Sequence, residues 1–132
     1  NLSQDQENWE VEGRAVFRTL RDSLRFLVPD ETGCLISREA TYGREAANPI
    51  KIGGGPMDGP MREEAYLSTL RGPNGEALTY QSLGSTSDGE FDMIEIQGLD
   101  EPVRLFLDKY NYELLRAPNG FTCAGNFLLA AP

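Results

Sequence analysis

The chain has 132 residues with 12 Lys or Arg, 21 Asp or Glu and no His, for a formal charge of −9, which fits one domain with one core and excludes serine-histidine and cysteine-histidine catalysis and imidazole metal sites. With 39% hydrophobic and 25% charged residues, 14 Gly and 8 Pro, the composition is globular and loop-rich rather than disordered, and no apolar run reaches the roughly 18 residues of a membrane span. The acidic balance also argues against nucleic-acid partners, because phosphate backbones reward excess positive charge.

Residues 1–8, Asn-Leu-Ser-Gln-Asp-Gln-Glu-Asn, are polar and aperiodic and read as a disordered leader before one domain over 9–132. The chain begins at Asn1 rather than Met, which points to an upstream segment removed by a signal peptidase or by choice of boundary. From Gly13 to Val28, the apolar Val16, Phe17, Leu20, Leu24 and Leu27 recur at helical steps until Pro29. In that register Arg14, Arg18, Arg21 and Arg25 fall within about 60 degrees of one another. They form either a solvated face paired with acids elsewhere or a contact surface for an acidic partner. A competing reading splits this region into two strands around Arg21-Asp22-Ser23.

Cys34-Leu35-Ile36 reads as a short strand, followed by a loop of turn formers from Tyr42 to Pro60. Within it, Ile52-Gly53-Gly54-Gly55-Pro56 invites a phosphate-loop reading, but Lys51 precedes the glycines instead of following them, so the Walker spacing fails. A structural loop or the rim of a cleft fits better. A second helix is expected from Pro60 to the stop at Gly72-Pro73, with Glu63 and Glu64 near its positive end and Met61, Ala65, Leu67 and Leu70 toward the core. Pro73-Asn74-Gly75 is a tight turn that recurs as Pro118-Asn119-Gly120, an echo of turn chemistry and not of a duplicated domain.

Strands follow at Ala77–Leu83, at Phe91–Gln97, where Asp92, Ile94 and Ile96 alternate with Phe91, Met93 and Glu95, and at Val103–Asp108. Gly98 to Pro102 joins the last two as a long hairpin. Together these predict an α+β fold: a single domain with a mainly antiparallel sheet, about two helices and long Gly/Pro-rich loops. Cys34 and Cys123, with 88 residues between them, share no metal or redox spacing. They read as a disulfide if the compartment is oxidising, or as two separate buried thiols otherwise.

No catalytic signature, cofactor motif or metal set emerges from these residues. Asp88, Glu90 and Asp92 alternate as calcium ligands can, but Met93 and Leu99 occupy positions where a calcium loop needs Gly and Glu. Glu63, Glu64 and Asp92 are nominal candidates for two-carboxylate hydrolysis, although 21 acids guarantee some such pair.

From Tyr42 to Cys123 the chain resembles a family of small, uncharacterised, secreted or lipid-anchored bacterial proteins. The resemblance is carried by Tyr42-Gly43, Asn48-Pro49-Ile50-Lys51-Ile52-Gly53-Gly54, Gly59-Pro60 with Glu63, Tyr66 and Leu67, and Leu70-Arg71-Gly72-Pro73-Asn74-Gly75-Glu76. It continues through Tyr80, Leu83-Gly84-Ser85, Gly98-Leu99, Pro102-Val103, Tyr110 and Ala117-Pro118-Asn119-Gly120-Phe121. It implies export to the periplasm or outside, with a lipid anchor as one route, and implies no reaction. The expected function is therefore a non-enzymatic binding or interaction module of the cell envelope, of inhibitor, immunity or accessory type, recognising a protein or a cell-envelope ligand. Tyr42, Lys51, Glu63, Tyr66 and the four arginines of the stripe are the candidate contact residues. The alternative is a small carboxylate-dependent hydrolase or lyase acting on a carbohydrate or cell-wall fragment, with the Gly53 to Gly59 loop as its cleft rim. Residues 13–28 carry four arginines against Asp22, so the remainder holds −12 and the charge is polarised.

Overall fold

The computed structural model describes residues 27–29, 33–127 and 129–132. Its centre is a four-stranded sheet. Strands β5 (Thr79–Ser85), β6 (Asp92–Gln97) and β7 (Val103–Asp108) form an antiparallel meander, and β3 (Ile50–Lys51) adds to β7 in parallel, for the order β3-β7-β6-β5. Two two-stranded pairs complete the strands: β1 (Leu27–Pro29) with β2 (Leu35–Ser37), and β4 (Leu70–Arg71) with β8 (Thr122–Cys123). The fold is thus α+β with a mixed, mainly antiparallel sheet.

Among the described residues there is one helix, α1 (Gly55–Thr69), rather than the two expected. The helix predicted over Gly13–Val28 lies outside the described residues as far as position 26, as do the 1–8 leader, the two-strand alternative around Arg21-Asp22-Ser23 and the arginines at 14, 18, 21 and 25. Its last two residues, Leu27 and Val28, are strand, with Val28 opposite Ile36. The physical reason is Pro29, whose ring crowds the preceding residue out of the helical region and into extended conformations.

Helix α1 starts at Gly55, five residues before the expected Pro60. Pro56 supplies the fixed φ of its first turn. Pro60 sits inside the helix and, lacking an N–H, leaves the Pro56 carbonyl without its helical donor. Glu63 therefore lies in mid-helix, where the terminal dipole no longer explains it. The helix also stops earlier than Gly72: Ser68 and Thr69 both turn their hydroxyls back onto the Ala65 carbonyl (3.0 Å each), and Leu70 is extended at φ −69° and ψ 140°. Met61, expected in the core, is 73% exposed.

Alternation along the sheet decides which face is covered. Ile94 and Ile96 on β6 and Leu105 and Leu107 on β7 are buried and share a core with Tyr66 and Leu67 of α1, Leu70, Ile50, Ile52 and Phe121. By register, Tyr80 and Ser82 of β5 stand beside Ile96 and Ile94 on this same face. β5 itself starts two residues later than the alternation predicts, Ala77 bridging Arg71 instead, and Leu83 is extruded in a one-residue bulge between Ser82 and Gly84, whose φ is 90°. That extra residue is what lets Ser85 pair with Asp92.

Cys34 and Cys123 are buried and joined as a disulfide, with a Cα separation of 5.6 Å. Both Pro-Asn-Gly turns form, closed by Gly75 N–H donating to Gly72 O (3.0 Å) and Phe121 N–H donating to Pro118 O (3.0 Å).

Candidate functional site

The glycine-rich segment is consumed by structure. Ile52 and Gly53 N–H both donate to Asp108 O (2.8 and 3.2 Å), and Gly55 N–H donates to Lys109 O (2.6 Å), so these amides do not face an anion. Gly54, at φ 99°, approaches Arg62 so closely that a Cβ would meet its Cδ at 2.6 Å. Arg62 in turn donates to Ile52 O from Nε and Nη2 (3.0 and 2.9 Å) and to Ala130 O (2.7 Å). The segment is a structural loop; of residues 53 to 60, only Pro60 lines the cleft described next.

That cleft, about 430 Å³ in volume, opens between α1 and the free edge of the sheet. One wall is the helical stripe Pro60, Glu63, Glu64 and Leu67, at the i, i+3, i+4, i+7 spacing that puts them on one face. The other wall and floor come from Tyr80, Ser82 and Ser85 of β5 and from Asp92 and Ile94 of β6. The cleft exists because the sheet is wider than its helix: α1 covers β6 and β7 and leaves the inner face of β5 open, with all seven β5 residues exposed. Among the described residues no strand pairs with the outer edge of β5.

At the floor, two carboxyl groups meet. Asp92 is polar in a register otherwise filled by Ile94 and Ile96, and it lies under Glu63, which is only 7% exposed. Oε2 of Glu63 is buried and receives no hydrogen bond. Desolvation, reinforced by a hydrogen bond to and the charge of Asp92, pushes the Glu63 carboxyl up to about 8, against a smaller downward pull from Lys109. Near neutral pH, Glu63 is therefore held in its neutral form and donates a hydrogen bond to Asp92. Asp92 also accepts a hydrogen bond from Ser85 Oγ (2.9 Å) and faces Lys109 Nζ at 3.5 Å.

Lys109 reaches this position because Gly59, buried on α1, has no side chain: a Cβ there would stand 2.6 Å from the Lys109 Cβ. Gly59→Ala is expected to destabilise the fold by about 1 kcal/mol, because overpacking of roughly 1–3 kcal/mol outweighs the roughly 1 kcal/mol gained in helix propensity. Urea denaturation measures this; a more stable variant would show that the helix can move away from Lys109 freely.

The other expected contact residues lie elsewhere. Tyr42 and Tyr66 are fully buried, which makes them packing residues rather than contact residues. Tyr66 donates to Arg116 O (2.8 Å) and stacks on Phe127 with ring centroids 4.6 Å apart, and Tyr42 lies under the Arg116 guanidinium at 4.1 Å. Burial raises the pKa of both phenols. Lys51 is half-buried on β3, in register with Asp108 and away from the cleft. Of the expected contact residues that are described, only Glu63 lines the cleft, together with Glu64 and Asp92, the other two acids named for the carboxylate alternative. Tyr80 and Ser85 enter the sequence reading only as part of the resemblance and not as contact residues, and Lys109 is not among the contact residues either. An acid in the apolar register of β6 was the available signal for the floor, and a lysine one residue past β7 gave none.

The Asp88 turn is structural: its Oδ1 accepts from Thr86 Oγ1 and from Glu90 N–H (3.0 Å). Among the described residues, no three acids or cysteines converge as a metal site. A second groove of about 600 Å³ lies between the two Pro-Asn-Gly turns, lined by Arg44, Asn74, Glu76 and Gly120 among others. Compared with protein families, with curated proteins and with solved structures, the chain matches none.

Proposed function

We propose that this protein is an exported bacterial binding module, non-enzymatic, which takes a protein or cell-wall ligand into the groove between α1 and β5. The observation that carries this reading is the open, acidic groove beside a sheet edge with which no strand pairs among the described residues. Edge strands offer backbone donors and acceptors to an extended ligand, while alternate side chains such as Tyr80 and Ser82 supply selectivity. The buried disulfide suits an oxidising compartment, and no described helix is long and apolar enough to cross a membrane. The net acidity favours a basic ligand, since complementary charge speeds association.

The hydrolase or lyase alternative is favoured by one observation, a carboxyl that stays protonated near neutrality at a cleft floor. It ranks second because Glu63 and Asp92 are in hydrogen-bond contact, whereas glycoside hydrolysis places its two carboxyls about 5–9.5 Å apart with the sugar between them.

Passing a bacterial envelope extract over immobilised protein tests the first reading. Wild type is expected to retain a component at low salt, and Ser82→Trp, which fills the groove from an exposed position, is expected to lose it. Equal retention by both, or none by either, overturns the reading. Turnover of a cell-wall substrate by wild type but not by Glu63→Gln would put the alternative in its place.

A further inference from the structure

We propose that Asn119 is a self-modification site, whose side-chain amide the folded protein converts to a carboxylate through attack by its own backbone, and does so much faster than at Asn74 in the matching turn.

Only two asparagines of the chain precede glycine, and both stand in the same hexapeptide frame: Leu70-Arg71-Gly72-Pro73-Asn74-Gly75 and Leu115-Arg116-Ala117-Pro118-Asn119-Gly120. Without a Cβ, a glycine leaves its own nitrogen open to the side-chain carbon of the residue before it. Asn74, Gly75, Asn119 and Gly120 are all exposed at their turn tips. Among the described residues, neither asparagine side chain holds a hydrogen bond, so both are free to swing toward that nitrogen. The step begins when the glycine N–H loses its proton to solvent base. The nitrogen then bonds to the asparagine Cγ, the Cγ–Nδ2 bond breaks, and Nδ2 leaves as ammonia. Water opens the resulting succinimide to aspartate or isoaspartate, so amide plus water becomes acid plus ammonia, with no change of oxidation state.

The fold gives these two identical triplets opposite electrostatics. Deprotonating Gly120 N spreads negative charge onto the Asn119 carbonyl oxygen, which accepts a hydrogen bond from the Arg44 guanidinium (Nη2 to O, 2.7 Å). A charged donor aimed at an oxygen where charge develops stabilises the anion that attacks. Arg44 is held there by the Phe121 ring, 5.3 Å from its guanidinium carbon, and a Cβ on Gly120 would stand 3.4 Å from Nη2. Gly120 N–H itself has no partner among the described residues. At the other turn, Gly75 N–H is engaged by Gly72 O (3.0 Å) and must release it before it ionises. There the neighbouring charge is negative: Glu76 Oε1 accepts from Asn74 N–H and would lie 3.0 Å from a Cβ on Gly72, so a carboxylate sits inside the turn and opposes a second anion. No described carboxylate pairs with Arg44. Conversion of Asn119 therefore places an acid at the turn Arg44 already holds, and adds one negative charge beside the groove of about 600 Å³.

The test is peptide mapping of the intact, folded protein after incubation in mildly alkaline buffer. Trypsin cuts after Arg71, Arg104 and Arg116, so Asn74 and Asn119 fall in separate peptides, and fragmentation of the second distinguishes Asn119 from Asn126. Asn119 is expected to convert about tenfold faster than Asn74, the lower end of what a charged hydrogen bond contributes, because the turn is exposed. In guanidinium with reductant the two rates are expected to be equal, since only the fold separates them. Arg44→Gln is expected to slow Asn119 by about tenfold, and Glu76→Gln, which keeps the acceptor oxygen without the charge, to speed Asn74. Equal rates in the folded wild type, faster conversion at Asn74, or a difference that persists in the unfolded chain overturns the inference. So does an unchanged or faster rate at Asn119 in Arg44→Gln, which would show that Arg44 only steadies the turn.

Discussion

Replacing Cys34 and Cys123 together by Ser is expected to lower the unfolding free energy by about 4–5 kcal/mol, the largest effect of any change considered. The two residues are 89 positions apart, and a cross-link closing a loop of that length removes about this much chain entropy from the unfolded state. The native side adds to the loss. Cys34 precedes the three-residue β2, and Cys123 ends the two-residue β8, whose partner β4 is equally short. Ladders of two or three residues have little strength of their own, so the cross-link is what fastens the β2 and β8 segments to the core around Tyr66 and Phe121. Both cysteines are buried, so the serine pair also places two hydroxyls where the disulfide sat. Guanidinium denaturation of wild type with and without reductant, beside the double variant, measures the effect. A loss below about 1 kcal/mol would show that these two segments are held by packing alone.

The second large effect is a stability that falls as pH rises. The Glu63 carboxyl has a folded pKa of about 8 against an ordinary 4.5, so between those values the folded protein holds a proton that the unfolded chain has released. The stabilisation from that proton is fully present below pH 4.5 and is lost as pH passes 8. Because the pair borders an open cleft and solvent screens part of the interaction, the loss is about 2–3 kcal/mol. Glu63→Gln should flatten this component, since the amide keeps the donor and never ionises. Urea midpoints across the range check it; a wild type whose midpoint does not fall between the two values, or a variant with the same slope, would show that Glu63 ionises without penalty.

Much of the sheet was legible in the sequence. The Val103–Asp108 strand and the Gly98 to Pro102 hairpin follow the alternation because one face of each strand is buried, which fixes the side-chain period. The departures have local causes that no periodicity records. Pro29 makes Val28 extended, and the Ser68 and Thr69 hydroxyls end α1 early. The bulge at Leu83 shifts the end of β5 by one residue and brings Ser85 onto Asp92. The site was legible only in halves. Asp92 stood in the same register as Ile94 and Ile96, and Glu63 shared a helical face with Leu67. Their meeting depends on the tertiary placement of α1 over β6, and the arrival of Lys109 depends on the absence of a side chain at Gly59. Tyr42 and Tyr66 were misplaced for the converse reason: a phenol suits a contact surface and a core equally, and only the packing around Arg116 and Phe127 decides.

The central claim is that the inner face of β5, not its outer face, meets the ligand. Photocrosslinking tests it at two adjacent positions whose side chains point to opposite sides of the sheet: Ser82, which lines the cleft, and Gln81, which pairs with Glu95 and does not. With a benzophenone amino acid at each site in turn and an envelope extract as the source of ligand, adducts are predicted from position 82 and none from position 81. Adducts from position 81 alone, or in equal yield from both, would contradict the account.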